Sequence, residues 1–372
     1  MAFTETVATS GTIKPRSVKA SASDSGANAA PTSAIKLAKR LGLKYAAADT
    51  LTLRRIRKGT GFSYLDENGK PIRDLSTLTR LKSLAVPPAY EDVLYAVDAN
   101  AHLQAVGRDA AGRLQYRYHP EWQKVREMRK AARLARFAEA LPRIRRSVGQ
   151  HLGGDEPTRE FTLAAVIELV ARSAIRPGSE SYARLRGTRG AATLLKSNVV
   201  VAGDVITLKF KAKGGKMVLK EFSAPKLGAA IEALRKLPGR RLFQYRNEAG
   251  DVRFVTAQDV NRFLCEIADE KISLKDFRTL LASVTVLDAL CRETPAESKR
   301  GRRQQVLEAI RVAATDLANT PTICAKSYVN ESVLTAFEDG ILEQFAETLR
   351  NCRSAARREK VLAEVMATAA AA

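Results

Sequence analysis

Residues 271–279 read KISLKDFRT and residues 317–329 read LANTPTICAKSYV. The first places Arg278 in an otherwise apolar helical run, and the second places Asn319 and Tyr328 on either side of a turn at Pro321. An arginine inside an apolar helix is costly to bury unless an anion or hydrogen-bond acceptors meet its guanidinium. A tyrosine soon after a lysine-bearing turn is a candidate nucleophile towards phosphorus. Neither signal decides the chemistry alone; the segments upstream do.

The charge balance narrows the partners. Lys and Arg number 62 against 40 Asp and Glu, a formal net charge of +22 in 372 residues. Such an excess favours a polyanion, because each neutralised phosphate releases condensed counterions. A merely basic or ribosome-bound protein would carry the same charge. The length leaves room for two domains, each with its own core. Cys265, Cys291, Cys324 and Cys352 form no CxxC pair, and His102, His119 and His151 are the only histidines. That is no zinc framework and fits reduced thiols in a cytosol. The longest apolar run, Phe161 to Ile175, is too short for a membrane span and is interrupted by Glu168 and Arg172. With no apolar signal core at the start of the chain, the expectation is a cytoplasmic protein with no membrane partner.

In chain order, residues 1–33 are rich in Ala, Ser, Thr and Gly and are expected to be disordered. Residues 34–123 read as a small, mostly β domain. LTLRRIRKG and GFSYLDENGK suggest a hairpin with Asn68-Gly69 as its turn, and a short helix follows near Ser76 to Ser83. DVLYAV, HLQAVGRD and RLQYRYHP then read as a meander broken at Asp98-Ala99-Asn100 and Ala111-Gly112. The arginine-rich stretch from Trp122 to Gln150 is helical in composition, either a solvated basic helix or a clamp laid along phosphates. Residues 124–350 read as a larger, mainly helical domain containing a β-hairpin, Val205 to Lys211 with Lys216 to Phe222. Its helices are expected at Thr158 to Ala174 and over 226–236, 256–268, 274–292, 299–318 and 331–350. Residues 351–372 form a basic, then alanine-rich tail expected to fray. The fold class is therefore α+β.

No GxxxxGK[ST] cradle and no Asp-x-Asp pair occurs, so neither a nucleotide nor a metal cofactor is expected. Phosphodiester chemistry would then rely on side-chain cations to stabilise the added negative charge. Arg176 in AIRPGSESY is either such a cation or one favouring a helix C-terminus. Lys213, at the tip of FKAKGGK, is either a solvated turn residue or a general acid on a mobile hairpin. Asn319 is either a turn residue or a neutral donor to a phosphate oxygen. Tyr328 is one of nine tyrosines, most of them expected to pack.

Taken together, RPGSESY, GTRGAATLLKSNV, FKAKGGK, KDFRT and NTPTICAKSYV resemble the catalytic domain of a type IB DNA topoisomerase of the small bacterial and poxvirus-like kind. VPPAYEDVLY and HLQAVGRDAAGRLQYRYHPEW resemble that family's amino-terminal DNA clamp, so the likeness runs over roughly residues 45 to 345. It implies a monomer around double-stranded DNA, associated with the nucleoid. It implies Tyr328 as the nucleophile, Arg176 and Arg278 on the non-bridging oxygens, Lys213 as the acid for the leaving 5′-oxygen and Asn319 as a neutral donor. It also implies DNA contacts at Gln115, Tyr116, Tyr118 and Tyr182. Leu280 stands where the bacterial branch commonly has an aromatic residue, and Ala212 where glycine usually precedes the lysine. A tyrosine recombinase shares this chemistry, and a catalytically silent DNA-organising protein would share the basic surface.

Overall fold

A computed structural model describes residues 32–154 and 156–371. The chain divides into two units, Met1–Val125 and Arg126–Ala372, each with its own core. The expectation of disorder over residues 1–33 lies outside the described residues, except that Thr32 and Ser33 open a helix, α1 (Thr32–Arg40).

The first unit is built on one antiparallel sheet. Its strands are β1 (Leu53–Lys58), β2 (Gly61–Leu65), β3 (Glu91–Tyr95), β4 (Leu103–Arg108) and β5 (Leu114–Tyr118), in the order β2-β1-β3-β4-β5. The first hairpin corrects the sequence reading. Lys58 pairs with Gly61, so the turn is Gly59-Thr60. Asn68-Gly69 closes the next turn, in which the Asp66 carboxylate accepts from the Asn68 and Lys70 amides and Leu65 bridges Pro71. Both turns carry a glycine at positive φ, and the strand pattern alone did not rank them. Helix α2 (Leu75–Ser83) is capped by Asp74 and covers one face of the sheet through Leu81, against Leu53, Tyr64, Val93 and Tyr95. The other face buries Leu51, Ala96, Leu103 and Val106. Cover on both faces explains why β4 is buried from Leu103 to Gly107, Gln104 included.

Helix α3 (Trp122–His151) starts in the first unit, where Trp122 and Val125 pack on Ala34, Ala38 and Leu43. The rest of it belongs to the second unit. There Leu134, Phe137, Leu141, Ile144 and Val148 lie at helical spacing on a buried face, and the arginines occupy the remainder. Helix α4 (Arg159–Ser173) is the centre of the second core and is buried almost without interruption from Phe161 to Val170. It is followed by α5 (Glu180–Arg186) and an antiparallel sheet of β6 (Val199–Ala202), β7 (Val205–Lys211) and β8 (Met217–Ser223). The β6 strand extends the expected hairpin by one member. Next come α6 (Pro225–Arg235), the hairpin β9 (Gln244–Arg246) with β10 (Val252–Phe254), and α7 (Ala257–Ala268).

The remaining helices carry the candidate site. They are α8 (Leu274–Leu290), α9 (Lys299–Asp316), α10 (Pro321–Ser327), α11 (Glu331–Glu338), α12 (Glu343–Arg350) and α13 (Ala355–Ala371). The helix expected over 331–350 is thus two helices, parted at Gly340, whose φ of 75° ends the first. The α8 N-terminus is fixed twice. The Asp276 carboxylate accepts from the Ser273 amide at 2.7 Å and from Arg133 of α3 through two bonds of 2.7 Å. Such a bidentate pair sets direction as well as distance.

The carboxyl-terminal segment is not a fraying tail. Val361, Leu362, Val365 and Met366 of α13 are buried against α8 and α11, and Glu359 pairs with Arg145 at 2.7 Å. Spacing at i, i+1, i+4 and i+5 gives one apolar stripe, which outweighs the alanine-rich look of the sequence. Leu362→Ala should therefore destabilise the protein by about 2 to 5 kcal/mol in urea unfolding, whereas Lys360→Ala, on the exposed side, should stay within about 0.5 kcal/mol. A tail without packing would leave both unfolding midpoints unchanged.

Candidate active site

Helices α4 and α9 end close together, and Arg278 lies between their ends. It is 1 % exposed, and its guanidinium donates to the carbonyls of Ala174 and, at 3.1 Å, Leu317, the C-cap residues of those helices. A helix leaves its last carbonyls without partners and carries partial negative charge there, so the two ends meet the buried cation. The Arg278 Nε has no hydrogen-bond partner.

The segments leaving those two helix ends bring in the next residues. Arg176 follows Ala174 by two positions, and Asn319 follows Leu317 by two. The Arg176 guanidinium donates to Asn319 Oδ1, while the buried Asn319 Nδ2 is left without an acceptor. The loop holding Arg176 is gripped from behind, since the Ala191 amide donates to the Arg176 carbonyl at 2.8 Å. A Cβ on Gly190 would lie 2.5 Å from that carbonyl oxygen, so only glycine allows the approach.

Tyr328 is the C-cap of α10, the short helix that Thr320 and Pro321 start. Its ring is nearly buried, with the Arg278 guanidinium 4.8 Å and the Lys275 ammonium 5.6 Å from the centroid. Its main chain is held at 2.9 Å by the Cys324 carbonyl, and the Ser283 hydroxyl reaches the Tyr328 carbonyl at 3.3 Å. Burial by itself raises the phenol pKa. The charges of Arg278, Arg176 and Lys275 more than offset this, so the phenol lies below its ordinary value. Arg278, in turn, is lowered mainly by burial, with Tyr328 acting the other way.

Four of the five expected catalytic residues therefore converge: Arg176, Arg278, Asn319 and Tyr328. Lys213 does not join them. It is exposed at the tip between β7 and β8, where Gly214 and Gly215 take φ values of 78° and 77°. Ala212 sits in ordinary extended conformation and is buried, its amide bonded to the Lys216 carbonyl at 2.7 Å, so alanine fits here without strain. Leu280 points elsewhere on α8 and lines a separate cavity of ≈ 400 Å³ with Phe277, Leu281 and Val284.

Of the residues expected to meet DNA, Tyr182 is exposed on α5, with Arg186 5.3 Å over its ring. In the first unit, Gln115, Tyr116 and Tyr118 lie on β5, at the edge of the sheet. Tyr116 and Tyr118 share a face with ring centroids 6.3 Å apart, and Gln115, one residue out of phase, donates to Asp109 at 3.0 Å.

The sequence reading passed over three cations. Lys275 lies three residues before Arg278, which puts both on neighbouring faces of α8. Arg189 and Lys220 line one small cavity with Arg176 and Arg278. The available signal was phase: Lys220 falls in step with the inward residues Val218 and Phe222 of β8, on the same face of the strand. Among the described residues no group of three or more His, Cys, Asp or Glu could hold a metal ion, and no helix is long and apolar enough to cross a membrane.

Comparison with known proteins matches two family models. Residues 61–109 match the model described as bacterial DNA topoisomerase IB, N-terminal domain, and residues 119–355 match that of the eukaryotic DNA topoisomerase I catalytic core. The chain is also similar to a DNA topoisomerase 1B of Acanthamoeba polyphaga mimivirus. The two are 29% identical over 292 residues, 77% of this chain and 87% of the relative.

The balance at Tyr328 is measurable. Arg278→Gln removes the largest charge opposing burial, so the Tyr328 phenol should titrate at higher pH than in the parent protein. Arg176→Gln should shift it the same way by less. The carbon-13 shift of the labelled tyrosine ring, assigned with Tyr328→Phe, reads both. Since the folded pKa lies below the unfolded one near 10, ionisation adds stability fully above that pH, and the gain is lost as pH falls through the folded value.

Proposed function

The chain belongs to the type IB DNA topoisomerases, and from that membership we propose that it relaxes positive and negative supercoils by cutting and rejoining one strand of duplex DNA through Tyr328. What carries this reading is the Tyr328 ring beneath the Arg278 guanidinium, with Arg176 and Asn319 on adjoining segments. An unperturbed phenol, with a pKa near 10, is a poor nucleophile at neutral pH. Neighbouring cations favour its ionisation and also the extra charge on the phosphoryl group under attack.

In the proposed step the Tyr328 oxygen bonds to phosphorus, the bond to the 5′-oxygen breaks, and Lys213 protonates that oxygen. The phenol proton passes to solvent. Arg176 and Arg278 hold the non-bridging oxygens, and the spare Asn319 Nδ2 donates to one of them. Each donor of this kind is worth about 3 to 4 kcal/mol in the barrier. One phosphodiester replaces another, so the free 5′-hydroxyl can turn about the intact strand and attack back without nucleotide hydrolysis. Lys213 enters with the DNA, on a tip whose two glycines permit movement. The net charge of +22 supports a long phosphate track. Gln115, Tyr116, Tyr118 and Tyr182 then contact the duplex, with the protein acting as a cytoplasmic, nucleoid-associated monomer around it.

Tyr328→Phe should leave duplex binding nearly intact while abolishing denaturant-trapped protein–DNA adducts and plasmid relaxation. Relaxation by that variant would remove Tyr328 from the mechanism. Trapping with mapping of the linked peptide also excludes a silent DNA-organising protein, which forms no adduct, and strand-exchange products from two duplexes would indicate a recombinase. For the acid, Lys213→Ala should cleave ordinary DNA slowly and recover on a substrate whose leaving 5′-oxygen is replaced by sulfur, a better leaving atom. Equal slowing on both substrates would assign the proton to another group.

A further inference from the structure

Arg176, Arg189, Lys220 and Arg278 line one cavity of ≈ 10 Å³, and Asp316 is the only carboxylate among its lining residues. That volume holds roughly one water-sized group, so it suits a single anionic oxygen rather than a whole small molecule. Three of the four cations already have partners. Arg278 bonds two helix-terminal carbonyls, Arg176 bonds Asn319, and Lys220 feels the opposite charge of Asp316.

Arg189 differs. Its side chain makes one long bond, 3.4 Å to the Thr193 carbonyl, and no ion pair among the described residues. Its main chain, by contrast, is fixed on both sides. The Arg189 amide donates to the Lys211 carbonyl at 2.7 Å, at the end of β7 beside the turn carrying Lys213. The next residue, Gly190, presses on the Arg176 carbonyl and donates to the Thr193 hydroxyl at 2.9 Å. A rigidly held backbone with an uncommitted guanidinium among like charges lacks only an anion.

We propose that Arg189 is a third guanidinium on the phosphate attacked by Tyr328, reaching it from the hairpin side. The assignment rests on the reaction proposed above and adds a phosphate-binding residue to it. A rival explanation is that the Arg189 stem merely packs between the Arg176 loop and the hairpin.

The test compares Arg189→Ala and Arg189→Lys in single-turnover cleavage of ordinary DNA and of DNA with one uncharged methylphosphonate at the scissile position. Arg189→Ala should slow cleavage of ordinary DNA by about tenfold to a thousandfold, and of the methylphosphonate substrate by less than about threefold. Arg189→Lys keeps the stem and one charge, and should recover part of the loss on ordinary DNA only. Equal slowing on the two substrates, or no slowing, overturns the proposal in favour of packing. Failure of the parent protein to form an adduct at Tyr328 would instead sink the proposed reaction. Binding of uncut duplex then judges Arg189 alone: its removal should lower the salt-dependence slope by about one phosphate contact, and an unchanged slope overturns the contact.

Discussion

Two helices of the second unit end against one buried guanidinium, and the candidate site follows from that meeting. Burying a charge is unfavourable unless its donors are matched, and the last carbonyls of a helix are unfavourable to bury unless something donates to them. Arg278 and the ends of α4 and α9 meet both requirements together. Replacing the guanidinium with an apolar group would leave two carbonyls without donors, at about 1 to 3 kcal/mol each. The contact also sets the site's geometry, because Arg176 and Asn319 each stand two residues beyond a carbonyl that Arg278 holds. Both exits turn through an alanine in left-handed conformation, Ala174 at φ 50° and Ala318 at φ 49°. That conformation costs a non-glycine residue about 1 to 3 kcal/mol, and it sends the chain straight from helix into site.

The same arrangement decides how each polar group is used. Because Arg176 occupies Asn319 Oδ1, the amide is turned so that Nδ2 faces away from that bond and remains a donor. An amide does not titrate, so Asn319 keeps this role over the pH range in which an imidazole would change charge. Tyr328 is the group that responds to pH, and its environment works in two directions. Burial disfavours the phenolate while Arg278, Arg176 and Lys275 favour it. A dry phenol among cations is thus closer to ionisation than a wet one, without the solvation that would blunt the phenolate.

Local signals carried much of this into the sequence. Arg278 stood out because its neighbours are apolar, and Tyr328 because Pro321 breaks the chain just before it. The meander from Glu91 to Tyr118 was legible from alternation and from glycine or asparagine at its turns. The gaps have a common cause, which is competition that only tertiary packing resolves. Gly59-Thr60 and Asn68-Gly69 are both good turns, and strand register chose between them. The alanine-rich end looked too weak to hold a helix, yet α13 has one stripe that α8 and α11 cover. Arg189 and Lys220 are unremarkable basic residues in the sequence. Their meeting with Arg176 and Arg278 depends on a loop, a strand and a helix 102 positions apart from first to last.

The separation of Lys213 from the other four residues has a physical logic. Lys220 shows what burial in this cavity does to an ammonium: loss of solvation lowers its pKa, Asp316 opposes this only in part, and Arg278 adds a smaller lowering. A lysine buried there holds its proton less firmly than an exposed one. Cations that stabilise charge gain from being fixed in advance, since their reorganisation is completed in folding. A proton donor gains from the opposite placement. The hairpin accommodates both demands, because the residues flanking its turn are tied, Arg189 to Lys211 and Ala212 to Lys216, while the turn itself has two glycines and is exposed. In the proposed reaction, proton delivery then depends on DNA drawing that tip in, so the acid reaches the leaving oxygen only when a strand is in place to be cut.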